Sequence, residues 1–235
     1  MLSNNQIDKL GHDLRSGQIS VEHLKRLELF RSEFAEAYNF VEEMLVHKMK
    51  LRITGRPSKS TVAIVEKLKR ETVRLSQIQD IAGCRVLVQD LGMQDSLLQT
   101  LELMLGQPDI DDKRELPTNG YRAVHVIARH RGRPVEIQVR TAMQHAWAEI
   151  SEKLADTFGQ SIKYGSGDDR TIEFLASLSK LTAELEYLRH RKFTVMKGSG
   201  GYSARLAARG KLTRLEESCI KEIGRLFAKA RVKVG

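Results

Sequence analysis

The sequence predicts an α+β fold, a mixed β-sheet flanked by helices with helical extensions at both ends. Three observations predict it. Apolar residues recur every three or four positions from Leu24 to Leu45, apolar and polar residues alternate from Tyr121 to Arg129, and an apolar run at 81–88 stands between helical stretches. The chain has 235 residues, 41% of them apolar and only four of them proline. That is enough for a sizeable core, and it excludes a disordered or collagen-like chain.

In chain order, Ser20 can cap an amphipathic helix over 20–48, with Leu24, Leu27, Phe30, Phe34, Tyr38, Val41 and Leu45 as its apolar positions. Gly55 and Pro57 break that pattern, and Ser60 caps a second helix to about residue 70, holding a basic loop between the two. Residues 81–88 read as a buried strand in which Gly83 permits close backbone approach, and 93–105 as a helix. A Gly/Pro/Asp-rich connection follows at 106–112, and a short strand with a loop fits the segment to Asn119. Next comes a β-hairpin, 121–129 turning at Arg131-Gly-Arg-Pro134 and returning over 135–139. Residues 141–158 form a helix with Met143, Ala146, Trp147, Ile150 and Leu154 on one stripe. After a Gly/Ser/Asp stretch at 159–169, helices are expected over 171–191 and, beyond Gly198-Ser-Gly-Gly201, over 212–230. The organisation expected is a helical region at 1–48, a core at 49–158 and a basic helical extension at 159–235.

The formal charge of +9 is concentrated in two stretches. Residues 48–74 hold nine Lys/Arg against two Glu, and 187–235 hold thirteen against three, so the rest of the chain is net acidic. Basic surfaces draw phosphates, nucleic acids or anionic lipids. Cys84 and Cys219 lie far apart and no signal peptide is evident, so the expectation is a reducing, cytoplasmic location without a disulfide framework. No apolar run approaches the roughly 20 residues a membrane helix needs, so no membrane partner is expected.

Two carboxylates stand out, Asp80 at the opening of the first strand and Glu136 in the return strand of the hairpin. Carboxylates brought together on a rigid sheet can hold Mg²⁺ and leave positions open for phosphate oxygens, and one can accept a proton from an attacking hydroxyl. A lone strand-edge carboxylate is usually an ordinary surface residue. The basic residues Arg56, Lys59, Lys67 and Arg70 alter that judgement. Lys67 and Arg70 share a helix face and Lys59 approaches from its N-terminal end, where the helix adds partial positive charge. Such a fork can neutralise a triphosphate, and it is not a P-loop, since no GxxxxGK[ST] occurs.

Four motifs then fall in order: Gly55-Arg-Pro-Ser-Lys-Ser60 with Lys67-Leu-Lys-Arg70, Gln79-Asp-Ile-Ala-Gly-Cys-Arg85, Asn119-Gly-Tyr-Arg-Ala-Val-His125, and Val135-Glu-Ile-Gln-Val-Arg-Thr141 with Gln144-His-Ala-Trp147. In these motifs the chain resembles the synthetase domain of the RelA/SpoT alarmone synthetases, in a small single-function form without the hydrolase half. The only His-Asp dipeptide, His12-Asp13, reads as chance. The resemblance implies a nucleotidyltransferase-like sheet and Mg²⁺-dependent transfer of the β,γ-pyrophosphate of ATP to the ribose 3′-hydroxyl of GDP or GTP. It implies that Arg56 and Arg85 sandwich adenine, that Lys59, Lys67 and Arg70 bind the ATP phosphates, and that Asp80 and Glu136 hold the metal. Glu136 also activates the acceptor hydroxyl in this reading. Asn119, Tyr121, Arg122 and His125 form the acceptor side, with guanine stacked on Tyr121. Gln138 and Arg140 are expected to support the sheet, Trp147 the core, and Cys84 to be buried and inert.

Three departures bear on the acceptor and the basic loop. Two residues rather than one separate Arg56 from Lys59. Pro117 stands where the family has a Lys, leaving Lys113, Arg114 or Arg122 to compensate. Ser151 stands where the family has a guanine-reading Glu, with Glu149 and Glu152 nearby. These departures keep two alternatives open, a toxin-like member that pyrophosphorylates the 3′ end of tRNA and an inactive nucleotide- or RNA-binding module. The partners to consider beyond ATP and GDP or GTP are a homo-oligomer, an antitoxin, and RNA or tRNA bound through the basic 187–235 tail.

Overall fold

The computed structural model describes residues 2–231, so Met1 and the final residues 232–235 of the basic tail lie outside the described residues. Two compact units make up the chain. The first runs to Val86 and takes in Leu101–Asp111 and His125–Val139. It holds α1 (Asn4–Arg15), α2 (Val21–Ser32), α3 (Ala35–Glu42), α4 (Thr61–Arg70) and most of a mixed five-stranded sheet. The strands are β1 (Ile53–Arg56), β2 (Ala82–Val88), β3 (Asp109–Asp112), β4 (Val124–His130) and β5 (Arg133–Thr141), in the order β1-β2-β5-β4-β3.

The helix expected over 20–48 is interrupted. α2 stops at Ser32, α3 restarts after Phe34, and a π-helical segment, Glu43–Lys48, completes the run. The buried rings of Phe30 and Phe34 meet edge to face at 5.2 Å, and the Arg133 guanidinium lies over both while pairing with Glu33. The hairpin therefore docks where the helix breaks. Its own turn uses Arg131 and Gly132, both at positive φ (48° and 76°), the pattern of a type I′ turn that matches strand twist.

Two elements of this unit were not anticipated individually. Ser3 and Gln6 form a capping box for α1, whose Ile7, Leu10 and Leu14 are buried. Arg15 then donates to the carbonyls of Leu68 and Val73 at 2.6 Å each, capping the C-terminal end of α4. β1 replaces part of the expected basic loop. A Cβ at Gly55 would lie 1.9 Å from the Tyr38 hydroxyl, so only glycine fits beneath that ring.

The second unit takes in Leu87–Thr100, Asp112–Val124 and the described chain from Arg140 onward. It contains most of α5 (Leu91–Leu105), then α6 (Ala142–Phe158), α7 (Asp169–Lys197) and α8 (Tyr202–Arg231). Thr141 caps α6 with Gln144 in a capping box, and the buried Trp147 donates its indole N–H to the Leu175 carbonyl of α7 at 2.9 Å. α8 begins ten residues before its expected start. Leu185 and Leu188 of α7 pack on Cys219, and Glu216 of α8 receives Arg189 and Lys192. No described helix is long and apolar enough to cross a membrane.

Candidate active site

In the first unit the basic loop is held at its root by a backbone hydrogen bond, Lys59 N–H to the Ile81 carbonyl at 2.7 Å. That bond turns Lys59 inward, and the side chain is buried. Its Nζ lies 2.6 Å from Oδ2 of Asp80, and Lys67 Nζ, one face of α4, lies 3.0 Å from Oδ1. Arg56 donates to the Asp80 backbone carbonyl at 3.0 Å and stands 3.7 Å from its carboxylate. Burial pushes the Asp80 carboxyl upward, but the Lys67 and Lys59 ammonium groups outweigh it and bring the pKa down to about 2.

Glu136 sits on β5 against Gly83 of β2, where a Cβ on the glycine would approach the Glu136 carbonyl oxygen to 2.8 Å. His125 Nδ1 lies 2.9 Å from Oε1 of Glu136, and Gln138 donates to Oε2 at 2.7 Å. Burial raises the Glu136 pKa and the charge of Asp80 adds to that, yet the hydrogen bond and charge of His125 with the Gln138 bond hold it below the usual carboxylate range. The Cys84 thiol is pushed up to about 12 by burial and by Glu136, which fits the expected inert cysteine.

Asp80 and Glu136 thus feel one another's charge, each already oriented by protein donors. Among the described residues no group of three or more His, Cys, Asp or Glu could hold a metal ion. A pair of carboxylates suits a hard cation that takes one or two protein oxygens and fills its other positions with phosphate and water. Carboxylate oxygens are the donor type that Mg²⁺ takes.

The antiparallel register sets Thr54 opposite Arg85 and Arg56 opposite Gly83. Arg56 and Arg85 are then diagonal neighbours on one face, about 7–8 Å apart. Arg70 pairs with the adjacent Glu71 at 2.7 Å.

Asn119, Tyr121 and Arg122 belong to the second unit, whereas His125 stands beside Glu136 in the first. Tyr121 N–H bonds the Thr118 carbonyl at 2.9 Å across Asn119 and Gly120, both at positive φ (52° and 85°), another type I′ turn. Arg140 donates to the Tyr121 hydroxyl at 2.8 Å, its guanidinium 5.0 Å from the ring centre. Arg122 donates to the Arg114 carbonyl at 2.6 Å and to Ser179 Oγ at 3.2 Å. Arg114 is bound to Asp112 and Asp95, each at 2.6 Å. Ser151 is buried, and Glu149 pairs with His145 at 3.4 Å.

Gln138 and Arg140, expected to support the sheet, bond Glu136 and Tyr121, and no sequence motif marks Ser179. Glu136, Gln138 and Arg140 are spaced two apart on β5, and strand periodicity alone places them on one face.

A family model described as a region found in RelA / SpoT proteins matches residues 55–156. The uncharacterized protein Rv1366 of Mycobacterium tuberculosis (strain ATCC 25618 / H37Rv) is 34% identical over 193 residues, covering 79% of this chain and 69% of the relative. GTP pyrophosphokinase YjbM of Bacillus subtilis (strain 168) is 31% identical over 119 residues, 43% of this chain and 54% of the relative. The crystal structure of the small alarmone synthetase 1 from Bacillus subtilis superposes with a TM-score of 0.55 at 22% identity, covering 71% of this chain and 98% of that one. The last comparison speaks for the fold.

Proposed function

Because this chain belongs to the RelA/SpoT family, we propose that it transfers the β,γ-pyrophosphate of ATP to the ribose 3′-hydroxyl of GDP or GTP, forming a guanosine polyphosphate, with Mg²⁺ as cofactor. The observation that carries the reading is the cluster in which Lys59 and Lys67 hold Asp80, electrostatically coupled to a Glu136 held by His125 and Gln138. It offers cations for a triphosphate and two oriented carboxylates for a hard cation and a proton.

An arriving triphosphate gives Lys59 and Lys67 new oxygen partners and frees the Asp80 carboxylate. Arg56 and Arg85 hold adenine between their guanidinium planes, and Tyr121 receives guanine with Asn119 and Arg122 at its side. Glu136, ionised at neutral pH, accepts the proton of the 3′-hydroxyl as that oxygen attacks the β-phosphorus. The bond from the β-phosphorus to the oxygen bridging it to the α-phosphate breaks, and AMP departs with that oxygen. Mg²⁺ held by Asp80 and Glu136 would neutralise charge on the phosphate oxygens.

A second reading, transfer to the 3′-terminal adenosine of tRNA, is favoured by the buried Ser151 where a guanine-reading carboxylate is expected. Purified protein with Mg²⁺, labelled ATP, GDP or GTP, and tRNA in parallel reactions separates the two. Label in a guanosine polyphosphate is the expected result, and label in tRNA alone would replace the first reading with the second.

A further inference from the structure

Ser179 lies on α7, outside the matched region 55–156, and is 3% exposed. A serine within a helix commonly bonds back to the carbonyl one turn earlier. Here its hydroxyl donates to the Gly120 carbonyl at 2.6 Å and accepts from Arg122 Nε at 3.2 Å. One hydroxyl therefore grips the chain on both sides of Tyr121. The fit is close as well as polar, since a Cβ on Gly120 would lie 2.9 Å from the Trp147 ring and 3.1 Å from Ser179 Cβ. Two helical turns further on, Glu186 accepts from Thr141 and Gln144 and exerts its charge on Arg122. α7 thus presents Ser179 and Glu186, seven residues apart on one face, to the same guanidinium.

We infer that Ser179, on α7 outside the matched region, is a positioning residue for the acceptor nucleotide, holding Tyr121 and Arg122 in the orientation that receives it. The inference rests on the reading of Tyr121 and Arg122 as the acceptor side. Because Ser179 acts only on that loop, its loss affects one substrate and not the other. With ATP and GDP as substrates, Ser179→Ala is expected to raise the acceptor KM about tenfold, the scale of a lost hydrogen bond to a charged group, and leave the ATP KM unchanged. Ser179→Cys, which keeps the volume and gives up most of the hydrogen bonding, is expected to show the same split and carries the test if the alanine variant fails to fold. A purely structural serine would move both KM values together or neither, and either result overturns the inference while the wild-type enzyme remains active. Wild-type protein that makes no guanosine polyphosphate overturns the site reading and this inference together.

Discussion

Lys59 Nζ lies 2.6 Å from the carboxylate of Asp80, the residue that the family resemblance assigns to the metal. Without nucleotide, the phosphate-binding cation and the metal-binding carboxylate satisfy each other. Neither is left as an uncompensated buried charge, which would cost several kcal/mol.

This pairing predicts an acid limb in stability. The Asp80 pKa is about 2 in the folded protein against 3.8 for the free side chain. A depressed carboxyl stabilises the fold above its unfolded value and loses that contribution as pH falls from about 4 toward 2, a total of about 2 kcal/mol. Urea unfolding across this window should show stability falling with pH in the wild type and a flatter profile in Asp80→Asn. Equal slopes would contradict the ion-pair account.

His125 should govern the ionisation of Glu136. Its hydrogen bond and charge keep the Glu136 carboxyl low despite burial. His125→Phe removes both, so the pKa rises and the acid limb of kcat/KM moves to higher pH, with activity recovering above it. An acid limb at the wild-type pH would show that another group sets it.

The contact between Tyr38 and Gly55 predicts non-additive stability. Gly55→Ala drives a Cβ to 1.9 Å from the Tyr38 hydroxyl and should cost about 1–3 kcal/mol. Tyr38→Phe leaves the nearest ring carbon at 3.1 Å, so the same alanine should cost less in that background. Additive costs in chemical denaturation would refute the steric explanation.

Much of the fold was legible because caps and periodicity agree. Ser60 marked the start of α4, the apolar stripe from Met143 to Leu154 marked α6, and the alternation around Arg131-Gly132 marked the hairpin. The break between α2 and α3 was not legible, because it depends on Arg133, a residue 100 positions from its partner Glu33. β1 spans four residues, too short for a period to register, and its glycine answers to Tyr38. The first ten residues of α8 carry little apolar repeat. The site divides in the same way. Asp80, Glu136, Lys59 and Lys67 stood in ordered motifs, whereas Ser179 gains its meaning only from the Gly120 turn folded against it.

The central claim is that Glu136 accepts the proton of an acceptor 3′-hydroxyl in pyrophosphate transfer from ATP. Its most direct test compares wild type and Glu136→Gln in Mg²⁺ with labelled ATP and GDP or GTP, measuring both labelled guanosine polyphosphate and ATP binding. The account predicts product from the wild type, and at least a hundredfold loss, on the order of what general-base catalysis supplies, in a variant that still binds ATP. Undiminished product from Glu136→Gln, or none from the wild type with either guanine nucleotide, would contradict it.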